Sequence, residues 1–140
     1  MNGWRWRLLA VTMAVCVAFA AGPAAAHHSY SIYDRDKPIT IEGELTEFAW
    51  RNPHVILTVK PEGEDPYRIE WFAIHRVGRS GVQPDSLKPG DHVIVTGSRH
   101  PEKKYRILTL IREITRPSDG WSWTRPKYGS GTLHRPGEGG

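Results

Sequence analysis

Apolar and polar residues alternate in short runs between Ile39 and Thr115. The clearest run spans residues 39–47, in which both isoleucines and the leucine fall on one face. A period of two residues is typical of a half-buried β-strand. Phe48 and Trp50 then fall on the opposite parity. This change of phase predicts a β-bulge or a sharp bend near the end of the strand.

Four further runs rich in β-branched and aromatic residues follow the first, and turn residues separate them. The strands predicted in this way span residues 39–47, 54–60, 67–73, 92–98 and 104–115. Residues 74–82 fit a short helix or an irregular linker. Three strands, a linker and two more strands is the order of a small five-stranded OB-type barrel. The predicted class is therefore all-β, and an open β-sandwich fragment is the alternative.

The first 26 residues differ from the rest of the chain. Arg5 and Arg7 precede an apolar stretch over residues 8–22, and a small-residue segment ends at Ala26. This order predicts a secretory signal peptide that is cleaved near Ala26, and hence a periplasmic or secreted protein. The apolar stretch of about 15 residues is shorter than the roughly 20 that a membrane-spanning helix needs. No stable membrane anchor is predicted.

The 140 residues are sufficient for one folded domain. The signal peptide leaves residues 27–116 as the predicted barrel domain. Residues 117–140 are rich in Gly and Pro and show no periodic pattern, which predicts a flexible tail. Trp121 and Trp123 are the tail residues best suited to dock onto the barrel.

The charge of the chain argues against nucleic acid as a partner. Its formal net charge is +4, and loss of Arg5 and Arg7 with the signal peptide would leave about +2. A surface that follows phosphates needs a clustered excess of Lys and Arg. The single cysteine, Cys16, lies inside the signal segment, so no disulfide is predicted in the exported protein. Phosphate loops, dinucleotide-binding glycine patterns and nucleophile elbows do not occur, and enzymatic turnover is not predicted.

Four short motifs follow one another along the chain. They are His27–Ser29 (HHS), Asp34–Thr40 (DRDKPIT), Trp50–His54 (WRNPH) and Ser86–Asp91 (SLKPGD). In this ordered set the chain resembles a family of small exported bacterial proteins that are uncharacterised. The resemblance implies an exported single domain and supplies no activity. Family members carry a glutamate three residues after the tryptophan that corresponds to Trp71, whereas this chain has Ile74.

The histidines are the main candidates for a metal site. Cleavage after Ala26 would make His27 the first residue, and its α-amine and imidazole could together chelate Cu(II), as in a histidine brace. His28 offers a second mode, through the amine, a backbone amide and its own ring. His54 is the proposed third ligand and His100 the next candidate, because the first and last loops of an OB-type barrel flank its usual cleft. The alternative is that the double histidine belongs to an ordinary exposed terminus.

Aromatic side chains are the candidates for a metal-free site. Trp50, Trp71 and Tyr105 could form a barrel face on which a ligand stacks, although core packing is the better explanation of large aromatic residues in a small barrel. The sequence therefore predicts an exported small-ligand-binding protein, with copper as the candidate cofactor and a metal ion or small molecule as the partner. The alternative function is a metal-free interaction or ligand-binding module that uses the aromatic face. A protein partner and the oligomeric state stay open, and no catalytic residue is predicted.

Overall fold

The computed structural model of the protein describes residues 32–125 and 131–137. These residues form seven strands, one short helix and a 3-10 turn. In chain order the elements are β1 (Ile39–Ala49), β2 (Ile56–Lys60), β3 (Tyr67–Glu70), α1 (Ile74–Arg79), β4 (His92–Arg99), the 3-10 turn (Lys103–Tyr105), β5 (Ile107–Arg116), β6 (Trp121–Thr124) and β7 (Thr132–His134).

The first five strands close into a barrel. β1 pairs antiparallel with both β2 and β4, β2 pairs with β3, and β4 pairs with β5. The parallel pairing of β3 with β5 closes the sheet. This is the strand arrangement of an OB-type barrel, and α1 lies between β3 and β4. The all-β, five-stranded prediction is confirmed, and the open sandwich is excluded because the sheet is closed.

β1 belongs to both halves of the barrel, and it coils strongly to do so. Against β2 its register shifts between Leu45 and Glu47, which is the phase change that the sequence pattern predicts. Gly43 crosses β2 so closely that a Cβ atom there would overlap the backbone carbonyl of Lys60. Glycine at this position is therefore required by space.

The barrel interior is filled by the inward-facing side chains of all five strands. Burial of this apolar surface is the main stabilising contribution to the fold. The fully buried members on the strands are Leu45, Leu57, Val59, Ile69, Val93, Val95, Leu108, Ile111 and Ile114.

The C-terminal part of the chain corrects a prediction. A flexible tail was expected over residues 117–140, but β6 pairs with β5 and β7 pairs with β6. Trp121 and Trp123 are both buried, and the ring of Trp123 meets that of Trp71 edge-on with centroids 4.9 Å apart. Two large aromatic side chains are enough to hold these short strands on the barrel.

The SLKPGD motif is a turn that ties β4 to β1. Gly90 donates its N–H to the carbonyl of Leu45, and Leu45 donates to the carbonyl of Asp91, both at 2.8 Å. Gly90 has a φ of 92°, a left-handed conformation that favours glycine. The Asp91 carboxylate accepts the N–H of Lys88 at 3.0 Å. The motif therefore has a structural role.

Arg116 joins this turn to the C-terminal strands. Its guanidinium donates to Asp91 at 2.7 Å and to Asp119 at 2.8 Å, and it also donates to the carbonyl of Ser86 at 3.0 Å. The side chains of Arg116 and Asp91 are 16% and 10% exposed. This ion pair is thus largely withdrawn from solvent, whereas Asp119 lies nearer the surface.

The Arg116 network predicts a loss of stability in acid. The hydrogen bond from Arg116, helped by the N–H of Trp121, lowers the pKa of Asp119 from its ordinary 3.8. A carboxylate with a lowered folded-state pKa stabilises the fold above its unfolded-state pKa, and this contribution is lost as the pH falls through the folded-state pKa. The urea midpoint should therefore fall below pH 3.8, and less steeply in Asp119→Asn. The control is Asp85→Asn, at an exposed position, and identical acid profiles for the two variants would contradict the prediction.

Candidate functional site

The β4–β5 loop contacts the segment that precedes β1. The ring of Tyr33, which is buried, meets the ring of His100 edge-on, with centroids 5.6 Å apart. The ring of His100 also meets the ring of Tyr105 edge-on, with centroids 4.6 Å apart. Two tyrosines therefore hold one imidazole, and the segment before β1 is fixed beside it.

The His100 ring is also positioned by the backbone. The N–H of His100 donates to the carbonyl of Ile107 at 2.9 Å, which anchors the residue at the end of β4. Ring atom Nδ1 lies 3.1 Å from the backbone nitrogen of Glu102 and 3.3 Å from its carbonyl oxygen. The N–H of Glu102 donates to Nδ1, so the neutral ring carries its proton on Nε2. Binding of a metal ion by Nε2 would require the other tautomer, in which Nδ1–H donates to the carbonyl of Glu102.

Tyr105 lies at the exposed side of this loop. Its side chain is 49% exposed, and the Nζ atom of Lys104 lies 4.9 Å from the ring centroid. Lys104 also pairs with Glu102 at 2.9 Å. Tyr105 is therefore the sequence-predicted aromatic residue that presents most of its ring to solvent.

His54 lies in the β1–β2 loop, as predicted. It is half-buried, and it follows a cis peptide bond between Asn52 and Pro53. Within residues 32–125 and 131–137, no three His, Cys, Asp or Glu side chains converge as metal ligands. The other two predicted ligands, His27 and His28, lie outside the described residues. Copper binding therefore stays a prediction.

The tryptophans behave differently from the exposed tyrosine. Trp71 is only 1% exposed and packs against Trp123, so it belongs to the core, and its contact with a ligand stays a prediction. The large area of the indole is better buried in so small a barrel. Trp50 is half-buried, with its ring edge-on to Phe48 at 6.1 Å, and it also contacts α1 near Gly78.

A set of arginines escapes prediction from the sequence. They surround a cavity of about 400 Å³ outside the barrel core. Its lining residues, hereafter the arginine cavity, are Arg35, Ser98, Leu110, Arg112 and Arg125. They come from four separate segments, so no spacing along the chain brings them together. Their convergence follows from a β-bulge in β5, which is visible only in the structure.

The closed five-stranded sheet, with α1 between β3 and β4, makes this chain an OB-type barrel protein whose candidate ligand sites lie at its loops and its outer face. The chain belongs to a family of unknown function, DUF6152, whose model matches residues 14–107, two thirds of the chain. No curated protein matches it. Membership supports the resemblance to an uncharacterised family. In the part of the chain that the structure describes, no helix is both long and apolar enough to span a membrane.

Proposed function

We propose that the protein is an exported small-ligand-binding protein and that it binds Cu(II) through its mature N-terminus. The order of basic, apolar and small residues before His27 supports export. A free α-amine beside an imidazole is a chelating pair that favours Cu(II), and one further imidazole would complete a three-nitrogen site. The copper would be held or passed on, because no catalytic group is assigned.

The contact between Tyr33 and His100 is the observation that carries this proposal. It fixes the start of the described chain beside a barrel histidine, at a centroid distance of 5.6 Å. His27 precedes Tyr33 by only six residues, and an extended chain covers at most about 3.5 Å per residue. The α-amine could thus lie anywhere within roughly 20 Å of Tyr33, a range that includes His100.

The same contact favours His100 over His54 as the third ligand. The sequence ranks His54 first because it begins a strand after the Asn-Pro turn. The ring of His100 touches that of Tyr33, in the segment that leads to the N-terminus. Nδ1 of His100 accepts the N–H of Glu102, and a change of tautomer, with Nδ1–H donating to the Glu102 carbonyl, would free Nε2 for the metal.

A Cu(II) titration tests the proposal. We expect protein that begins natively at His27 to bind one Cu(II) tightly by calorimetry, with an EPR spectrum of nitrogen ligands. Acetylation of the α-amine should abolish this binding, because the blocked amine can no longer act as a ligand. His100→Ala should weaken it by about tenfold or more, since one of three nitrogen ligands is lost.

His54→Ala is the matched control, because it removes an imidazole from the other candidate loop. It should leave the Cu(II) affinity unchanged if His100 is the ligand, and the reverse result would move the third ligand to the β1–β2 loop. Equal and weak binding by the native and N-acetylated proteins would overturn the copper proposal. All samples must be free of tags.

A metal-free ligand-binding or interaction module is the second candidate. The exposure of Tyr105, with Lys104 over its ring, favours this function because the pair offers a stacking face next to a positive charge. Of the other predicted aromatic residues, only Trp50 is accessible in part. A ligand affinity that survives blocking of the N-terminal amine and is lost in Tyr105→Ala would support this function.

A further inference from the structure

The arginine cavity is built by a bulge in β5. Thr96 pairs with Glu113 and Ser98 with Thr109, so three residues of β5 lie opposite Gly97 alone. Leu110, within the bulge, has a φ of 49°, which is unusual for a residue other than glycine. A β-bulge re-aims the side chains of its strand, and this one brings Leu110 and Arg112 to the lining of the cavity.

Backbone contacts hold the three cavity arginines in place. Arg112 donates from Nη2 to the carbonyl of Arg35, which fixes the segment before β1. The N–H of Arg125 donates to the carbonyl of Arg112 at 2.6 Å. The guanidinium of Arg125 also lies 5.4 Å from the ring centroid of Phe72, whose ring carries Arg76 at 4.2 Å. Three segments of the chain thus bring their arginines to the same cavity.

The positive charges of this cluster repel one another. Burial lowers the pKa of Arg125, and the charges of the neighbouring arginines lower it further. These neighbours are Arg76, Arg35 and Arg112. The three cavity arginines are exposed, so solvent screens part of this repulsion, and a bound anion would relieve the remainder.

The chain supplies little to neutralise the cluster. Among the described residues no carboxylate forms an ion pair with Arg35, Arg112 or Arg125. Of the 15 Asp and Glu residues in the sequence, only Glu138 lies outside the described residues. An anion from solution, or Glu138 itself, is what remains to balance the charge.

Ser98 is an independent indication of a ligand. Its side chain is 1% exposed, and its hydroxyl makes no hydrogen bond to any described residue. A buried hydroxyl without a partner is unfavourable, and native proteins rarely keep one. Because Ser98 lines the same cavity as the three arginines, an acceptor atom placed there would satisfy the hydroxyl and the guanidiniums together.

We infer that the arginine cavity binds a small multivalent oxyanion, such as a phosphate group, with Arg35, Arg112, Arg125 and Ser98 as donors. Guanidiniums donate and never accept, so the matching ligand carries several acceptor oxygens. A tetrahedral phosphate group carries such oxygens. The volume of about 400 Å³ also suits a small molecule that carries this group. The inference does not depend on the copper proposal.

Calorimetric titration with inorganic phosphate, and separately with pyrophosphate, tests the inference on the processed protein in sodium chloride buffer. We expect one site with a dissociation constant below about 1 mM. Tighter binding of pyrophosphate would indicate that the natural ligand is larger than phosphate. Arg125→Met should weaken binding by about tenfold or more, because a charge-assisted hydrogen bond is lost. Arg79→Met is the control, since Arg79 is exposed on α1 and outside the cavity.

Ser98→Ala provides a readout that a purely structural role would not give. It should weaken phosphate binding about tenfold, yet raise the melting temperature of the anion-free protein, because an unsatisfied hydroxyl is removed. The inference is overturned if neither anion binds, or if Arg79→Met weakens binding as much as Arg125→Met. It is also overturned if phosphate binds only to Glu138→Gln, since the cavity would then hold the chain's own carboxylate.

Discussion

Replacement of Trp123 by alanine should lower the free energy of unfolding by about 3–5 kcal/mol, the usual cost of removing a large buried aromatic side chain. The Trp123 side chain is fully buried. It meets Trp71 edge-on at 4.9 Å and contacts Phe72, with centroids 5.9 Å apart. Its indole N–H donates to the hydroxyl of Ser80 at 2.9 Å. Urea denaturation followed by circular dichroism measures the change.

Two further substitutions make the Trp123 result specific. Trp123→Phe should cost less than Trp123→Ala, because it keeps most of the apolar area and loses the hydrogen bond. Ser122→Ala, on the opposite face of the same strand, should change stability by less than about 0.5 kcal/mol. A loss of under about 1 kcal/mol in Trp123→Ala would mean that β6 contributes nothing to the folded barrel.

The expected size of this effect shows where sequence patterns fail in this protein. The barrel strands span four to eleven residues, and period-two alternation is a strong signal in the longer ones. β6 spans only Trp121–Thr124 and β7 only Thr132–His134, between stretches rich in Gly and Pro. Their strand character comes from tertiary contacts that no local pattern reports. One contact is visible at Gly131, where any Cβ would overlap the indole of Trp123.

The candidate sites also contain residues that the sequence could single out and contacts that it could not predict. Residue type and position relative to a signal peptide could single out His27 and His28, and loop order could single out His54 and His100. The contact of Tyr33 with His100 could not be predicted, because it joins segments almost 70 residues apart. The burial of Trp71 could not be predicted either, because strand alternation shows that one of Trp71 and Phe72 faces inward and does not show which one.

The arginine cavity was missed for a different reason. Arginines spread over three segments look like solvated surface charges when they are read along the chain. Their convergence depends on the left-handed backbone at Leu110 and on the close approach at Gly97, where a Cβ would lie 2.8 Å from the carbonyl of Thr109. Neither Leu110 nor Ser98 belongs to a residue type that signals a ligand site. The indication of a site is the buried hydroxyl of Ser98 without a hydrogen-bond partner, which only a structure reveals.

Arg116→Met should lower the free energy of unfolding by about 2–4 kcal/mol, because removal of one partner leaves the other charge buried and unpaired. The carboxylate that loses its partner is that of Asp91, which is 10% exposed. The carbonyl of Ser86 loses a donor in the same variant. Methionine keeps the volume of the arginine stem, so the change reports on the charge and the hydrogen bonds more than on packing.

The double variant Arg116→Met/Asp91→Asn distinguishes the pair from its surroundings. It should be more stable than Arg116→Met alone, since no unpaired charge is then left in the SLKPGD turn. Arg68→Met is the matched control, because Arg68 pairs with Glu70 at 3.1 Å while 46% of its side chain is exposed, and it should cost less than about 1 kcal/mol. Equal losses in Arg116→Met and Arg68→Met would show that burial adds nothing to the Arg116 pair. A greater loss in Arg116→Met would establish that the SLKPGD turn and the C-terminal strands stabilise the barrel through one shared guanidinium.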